Sequence, residues 1–229
     1  MTTTPTATTA EVSAAERADG TSPERARRRV AAVGLGVGAL TVAGLLATTP
    51  WGERNATSYD EITTVRDAAW AGMLADGIAF AVVAALFSMT VLFLVRGRGR
   101  ALALLGAIVT SLGGLLFAMG SLAFASLAWY ATSPAIPVDT GRALMAYAAE
   151  NPQHGFVPAM IGFLLYTVGS LLLSVALLRG RAVPVAAVIV FAALTLSQFA
   201  GVDGRGLDLV QIALMLLLAG LAVIGFRRA

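Results

Sequence analysis

Gly77-Ile78-Ala79-Phe80-Ala81-Val82-Val83-Ala84-Ala85-Leu86-Phe87-Ser88-Met89-Thr90-Val91-Leu92-Phe93-Leu94-Val95 contains no charge and lies between Asp76 and Arg96. A bilayer core about 30 Å thick needs about 20 apolar residues in helix. The run meets that requirement. It lacks the alternation of a barrel strand, so its backbone must satisfy itself as a helix. Comparable runs recur on both sides of it. With flanking residues they give approximate spans at 30–50, 74–95, 101–130, 157–178, 182–200 and 208–226. Pro134 and Pro137 end the third, and Pro184 sits in the first turn of the fifth, where its missing N–H costs nothing.

The expected fold is therefore all-α, a polytopic six-helix transmembrane bundle (residues 30–228). Bulk composition agrees: 229 residues are 58% hydrophobic and 13% charged, against roughly 25% charged in a soluble domain. The mean hydropathy is +0.81. Residues 1–29 are rich in Thr, Ala, Ser and charge and are expected to be a disordered cytoplasmic tail. An uncleaved signal anchor fits span one better than a cleaved signal peptide, because Ala47-Thr48-Thr49 is a poor cleavage site.

Charge placement orients the spans. Arg25, Arg27, Arg28, Arg29, Arg96, Arg98, Arg100, Arg179, Arg181, Arg227 and Arg228 flank one side, and only Arg54, Arg66, Arg142 and Arg205 the other. Eleven against four places both termini in the cytoplasm. Trp51, Trp129 and Tyr130 fall at the opposite boundary, where amphipathic rings settle. The net charge of +3 is thus spent on orientation rather than on nucleic acid. The implied partner is the lipid bilayer of the plasma membrane. A homo-oligomer or an unidentified membrane partner is left open by the sequence.

Both longer outer connectors carry helix signals. Ser58-Tyr59-Asp60-Glu61 is a capping-box pattern followed by Ile62, Val65 and Ala69 on one face. Asp139 is expected to cap a second short helix that stops at Asn151-Pro152.

Several chemistries are excluded by residue type. There is no Cys and no Lys, so thiolate metal sites, Schiff-base lysines and Walker-type phosphate lysines are absent. The single His154 cannot supply two haem ligands. No catalytic residue, cofactor or metal site is expected. No charge falls in the middle of a span, and the nearest acids are Asp76 and Asp208, at matching depths near the outer ends of spans two and six. One reading makes them helix N-terminal caps. The other makes Asp76, His154, Gln198, Asp208 and Gln211 an acidic external vestibule for a cation or proton. Gly106/Thr110 and Gly114/Ala118 in span three are small-xxx-small pairs, expected to pack within the bundle.

The pattern over residues 30–228 resembles the uncharacterised six-span bacterial integral membrane proteins, a domain of unknown function. The resemblance rests on helix number, on Arg96-Gly97-Arg98 and Arg179-Gly180-Arg181 in the connectors, and on Leu104-Leu105-Gly106-Ala107 and Gly162-Phe163-Leu164-Leu165. It implies a membrane fold and carries no substrate or catalytic residue. Three functional readings follow: a non-enzymatic membrane protein, a small transporter or permease component, and an intramembrane enzyme. Polar groups around a central cavity would favour the second.

Overall fold

The computed structural model describes residues 9–48, 58–154, 156–200 and 204–229, all helical elements and their short connectors, with no strand among them. Eight helices follow in order: α1 Thr9–Thr48, α2 Tyr59–Thr64, α3 Arg66–Leu94, α4 Arg100–Ala131, α5 Val138–Glu150, α6 Phe156–Arg179, α7 Val185–Ser197 and α8 Gly204–Arg227. A 3-10 turn, Pro152–His154, joins α5 to α6. Trp51, Arg54, Asp203 and the last two residues of the first expected span lie outside the described residues.

Five helical segments are long and apolar enough to cross a membrane: Pro23–Thr48, Arg66–Leu94, Arg100–Ala131, Val157–Arg179 and Arg205–Arg227. The protein is a multi-pass membrane protein. Its outer surface agrees. On α4 alone Leu104, Leu105, Ile108, Leu112, Leu115, Met119 and Leu122 are each 44% to 58% exposed. A soluble protein would not leave so continuous an apolar stripe in water. In lipid it costs nothing.

The fifth expected span, 182–200, carries a helix shorter than its apolar run. Its helix α7 runs only from Val185 to Ser197, about 20 Å at 1.5 Å per residue, short of a 30 Å core. Hydropathy counts Ala182, Val183 and Phe199 as apolar. Backbone geometry excludes them, because Pro184 caps the start and turn bonds from Phe199 and Ala200 close the end. A second difference concerns the amino-terminal tail. Instead of being unstructured throughout 1–29, the chain is helical from Thr9, with Pro23 inside α1. Propagating an existing helix avoids the cost of a new nucleus, and the segment is rich in Ala, Glu and Arg.

α4 is the central element and packs most extensively on α6, then on α3; α1 packs on α8. The α4–α6 seam is made by glycines seven residues apart. A Cβ on Gly113 would overlap the backbone N of Tyr166, one on Gly162 the backbone N of Phe117, and one on Gly169 the backbone N of Thr110. At Gly120 an added Cβ would lie 2.6 Å from that of Ala159. The two backbones therefore touch, the geometry that small residues permit in membranes.

One end of the bundle gathers the arginine connectors. Gly99, at φ +98°, takes a left-handed conformation that lets α3 turn into α4. A Cβ there would come within 3.1 Å of Ala176 O and 3.2 Å of Arg179 Cβ, so the two Arg-Gly-Arg turns are neighbours. The other end is capped by α2 and α5. The Ser58 side chain accepts a bond from the Glu61 N–H at 3.4 Å, as the capping pattern requires. Ile62 and Ala69 are buried on the expected face, and Ile62 clusters with Ala128, Ala131 and Met145. Arg142 pairs with Asp60 at 2.6 Å, and Arg66 lies over the Trp129 ring at 3.8 Å. α5 begins after Pro137 and not at an Asp139 cap; Asp139 sits in its first turn and makes no capping bond there.

Candidate functional site

All six long or apolar helices contribute to one small cavity inside the bundle. α1 supplies Val42 and Leu46, α3 Asp76 and Phe80, α4 Phe117, α6 Phe163 and Tyr166, the α7 C-cap Gln198, and α8 Gln211, Leu214 and Met215. Helical spacing explains the set. Asp76 and Phe80 are four apart, Phe163 and Tyr166 three, and Gln211, Leu214 and Met215 occupy one face of α8. The cavity has a volume of about 60 Å³, room for a few water molecules.

The polar groups come from three helices besides Tyr166. Gln198 stands where α7 stops, and its Nε2 donates to Thr195 O at 3.3 Å. Gln211 Nε2 donates to Gln198 Oε1 at 3.4 Å, tying α8 to the end of α7. Asp76 is half-buried, ten residues inside α3, about 15 Å along the helix from Arg66. It also interacts with a further neighbour within the protein, as does Gln211.

Aromatic rings form the remaining wall. Phe80 lies with its ring centroid 4.5 Å from that of Phe117 and 4.4 Å from that of Tyr166. Phe163 follows at 6.5 Å from Phe117 and 5.6 Å from Phe199. Tyr166 is buried. The glycine seam fixes these rings, because the backbones of Tyr166 and Phe117 are the atoms pressed against Gly113 and Gly162.

Of the five residues expected to form an outer vestibule, the structure brings together Asp76, Gln198 and Gln211. His154 is elsewhere. It ends the 3-10 turn and lines an outer pocket of about 600 Å³ with Asn151, Pro152 and residues of α4 and α5. Asp208 is buried at 3% exposure, one turn before Gln211, and does not line the cavity. The N-cap reading is overturned for Asp76. α3 begins at Arg66, so no free helix N–H groups remain near residue 76. Asp208 is also past the first turn of α8. Tyr166 is not conspicuous in the sequence; its one distinguishing signal is a lone phenol among the apolar residues and small hydroxyls of its span.

Chemically, the cavity offers one carboxylate, two carboxamides and one phenol within apolar walls. A single carboxylate balances one positive charge. Oxygen donors suit a hard monovalent cation or a protonated water. Among the described residues no group of three His, Cys, Asp or Glu side chains is placed to hold a metal ion. The hydroxyl pair Ser88 and Ser111, at 3.3 Å, has backbone acceptors Ala84 O and Ala107 O around it. That is helix-packing chemistry, not a nucleophile with its base.

No family model matches the chain, and comparison with curated proteins and with solved structures also gives no match.

Proposed function

We propose that the chain is a small transporter component that takes up one positive charge, a proton or a monovalent cation, at Asp76. The observation that carries this reading is the convergence of six helices on a water-sized cavity containing a single carboxylate, Asp76. Acids inside a membrane bundle are costly and are retained on ion and proton paths. A purely structural bundle would have a dry apolar centre at this level. The intramembrane-enzyme reading draws no support from the hydroxyl geometry.

In this proposal the protein is a bacterial plasma-membrane protein with both termini cytoplasmic, of the six-span kind that its sequence resembles. The arginine asymmetry supports the orientation. The short α7 then completes the fifth crossing together with its flanking turns. A periplasm-only reporter enzyme fused after Gly204 is active, and one fused after Ala229 is silent; the reverse pattern overturns the orientation.

The function is tested in proteoliposomes carrying an internal pH dye or a sodium dye, under an imposed membrane potential. Wild type conducts protons or sodium above empty vesicles. Asp76→Asn keeps the shape and removes the charge, and it lowers that flux about tenfold or more with melting unchanged. Equal flux in wild type and Asp76→Asn overturns the proposal.

A further inference from the structure

At the opposite end of the bundle, three arginines from three helical segments face one cavity of about 250 Å³: Arg28 from α1, Arg96 just after α3, and Arg228 just after α8. Thr90, Phe93, Leu94 and Gly225 complete the lining. No carboxylate is among the lining residues. The nearest described acid partner, Glu24, pairs with Arg28 from one turn earlier on α1.

Two residues of this lining each carry a buried polar atom without a hydrogen-bond partner. Thr90 is 2% exposed and its Oγ1 has no hydrogen-bond partner, unlike Ser88, Thr195 and Thr167, whose hydroxyls bond the carbonyl four residues back. Arg28 Nε is likewise buried without a partner. A buried donor left unpaired costs free energy comparable to a lost hydrogen bond. Three guanidinium groups and a threonine in one lining point to an acceptor-rich ligand. Gathering three guanidinium groups has a like-charge cost that an anion relieves, and the planar guanidinium fork matches phosphate oxygens.

Location selects among phosphate compounds. The cavity lies at the end of the apolar helices, where lipid phosphates sit. Phe93, with Arg28 over its ring at 6.0 Å, and Leu94 form an apolar wall on the bilayer side of the arginines. Basic pockets between transmembrane helices on the cytoplasmic side take anionic lipid headgroups.

We propose that Arg28, Arg96, Arg228 and Thr90 form a binding site for the phosphodiester headgroup of an anionic phospholipid. It is independent of the Asp76 reading: a chain that moves no ion could still hold the lipid.

The test uses the full chain in phosphatidylcholine nanodiscs with and without phosphatidylglycerol. Lipid retained after transfer to detergent is counted by native mass spectrometry, and melting is followed in parallel. Phosphatidylglycerol is retained selectively and raises the melting temperature. The triple variant Arg28→Gln, Arg96→Gln, Arg228→Gln weakens retention about tenfold or more, since each loses a charge-assisted bond. A control triple with the same charge change, Arg98→Gln, Arg181→Gln, Arg227→Gln, retains it within about threefold, the range of a screened surface effect. Equal loss in the two triples overturns the site. If the first triple does not fold, Arg96→Gln and Thr90→Val are used singly; Arg96 is exposed, and Thr90→Val removes only the hydroxyl. Each lowers retention, and unchanged retention in both overturns the proposal. Protection by inorganic phosphate equal to that by the lipid also overturns it, in favour of a free-phosphate site.

Discussion

The α4–α6 seam and the α7–α8 side of the bundle are built on opposite principles. Along the seam Gly113, Gly120, Gly162 and Gly169 bring two backbones together with no space for a methyl group, and Gly106 leaves little. Across the bundle α7 is short, and a polar cavity walled by the rings of Phe80, Phe117, Phe163 and Tyr166 is left between Asp76, Gln198 and Gln211. The difference shows how a membrane bundle can hold a defined hole. Without a hydrophobic force between helices, close van der Waals packing supplies rigidity. Phe117 and Tyr166 belong to both regions, with backbones in the seam and rings in the cavity wall. The tight region thereby sets the shape of the loose one.

The largest effect is expected where that link is broken. Gly113→Leu or Gly162→Leu forces backbone against side chain and costs about 3 kcal/mol or more, or prevents folding. Detergent melting of purified protein checks this, and an unchanged melt for both removes the seam as the source of rigidity. A smaller loss is expected on the cavity side. Gln211→Leu deletes the amide bond to Gln198, and interhelical hydrogen bonds of this type are worth about 0.6 to 1.7 kcal/mol. The same melting assay measures it. A loss equal to that of Gly113→Leu would erase the contrast between the two regions.

The smallest effect serves as the control. Gly44 on α1 has no neighbour within 4 Å of an added Cβ. Gly44→Ala is therefore expected to leave stability unchanged or raise it by about 0.5 kcal/mol, since alanine has the better helix propensity. A clear destabilisation would mean that Gly44 meets a surface beyond the described chain, such as a second copy.

Much of this was written in the sequence, and the limits of the reading are physical. Arg96 marked the end of a helix and Ser58 to Glu61 marked a short one, because caps and charges have local causes; Asp76 did not mark a start, since α3 begins at Arg66. The seam was half legible: Gly106 and Thr110 stood out as a pair, but four-residue pairs did not reveal that Gly106, Gly113 and Gly120 share one face. Hydropathy cannot separate a helix face turned to lipid from one turned to protein, since both are apolar. For that reason Tyr166 and Phe117 gave no sign of lining a cavity. Asp76, Gln198 and Gln211 were found because polar side chains in apolar runs are conspicuous. His154 was grouped with them on depth alone, whereas the path of α5 carries it to a separate pocket. The length of α7 escaped for a related reason: composition counts apolar residues and does not register where Pro184 and the turn at Phe199 stop the helix.

The proposed exchange of a proton or a monovalent cation at Asp76 is measured by infrared difference spectroscopy in lipid bilayers. The carboxyl band of Asp76 is assigned by its disappearance in Asp76→Asn, and the spectrum is then recorded across pH and in sodium, in potassium and in a bulky organic cation. The band is expected to shift or change intensity with pH or with one of the small cations, while the Gly44→Ala protein behaves as wild type. An Asp76 band that is invariant to pH and to every cation would contradict the claim and leave the cavity a packing feature.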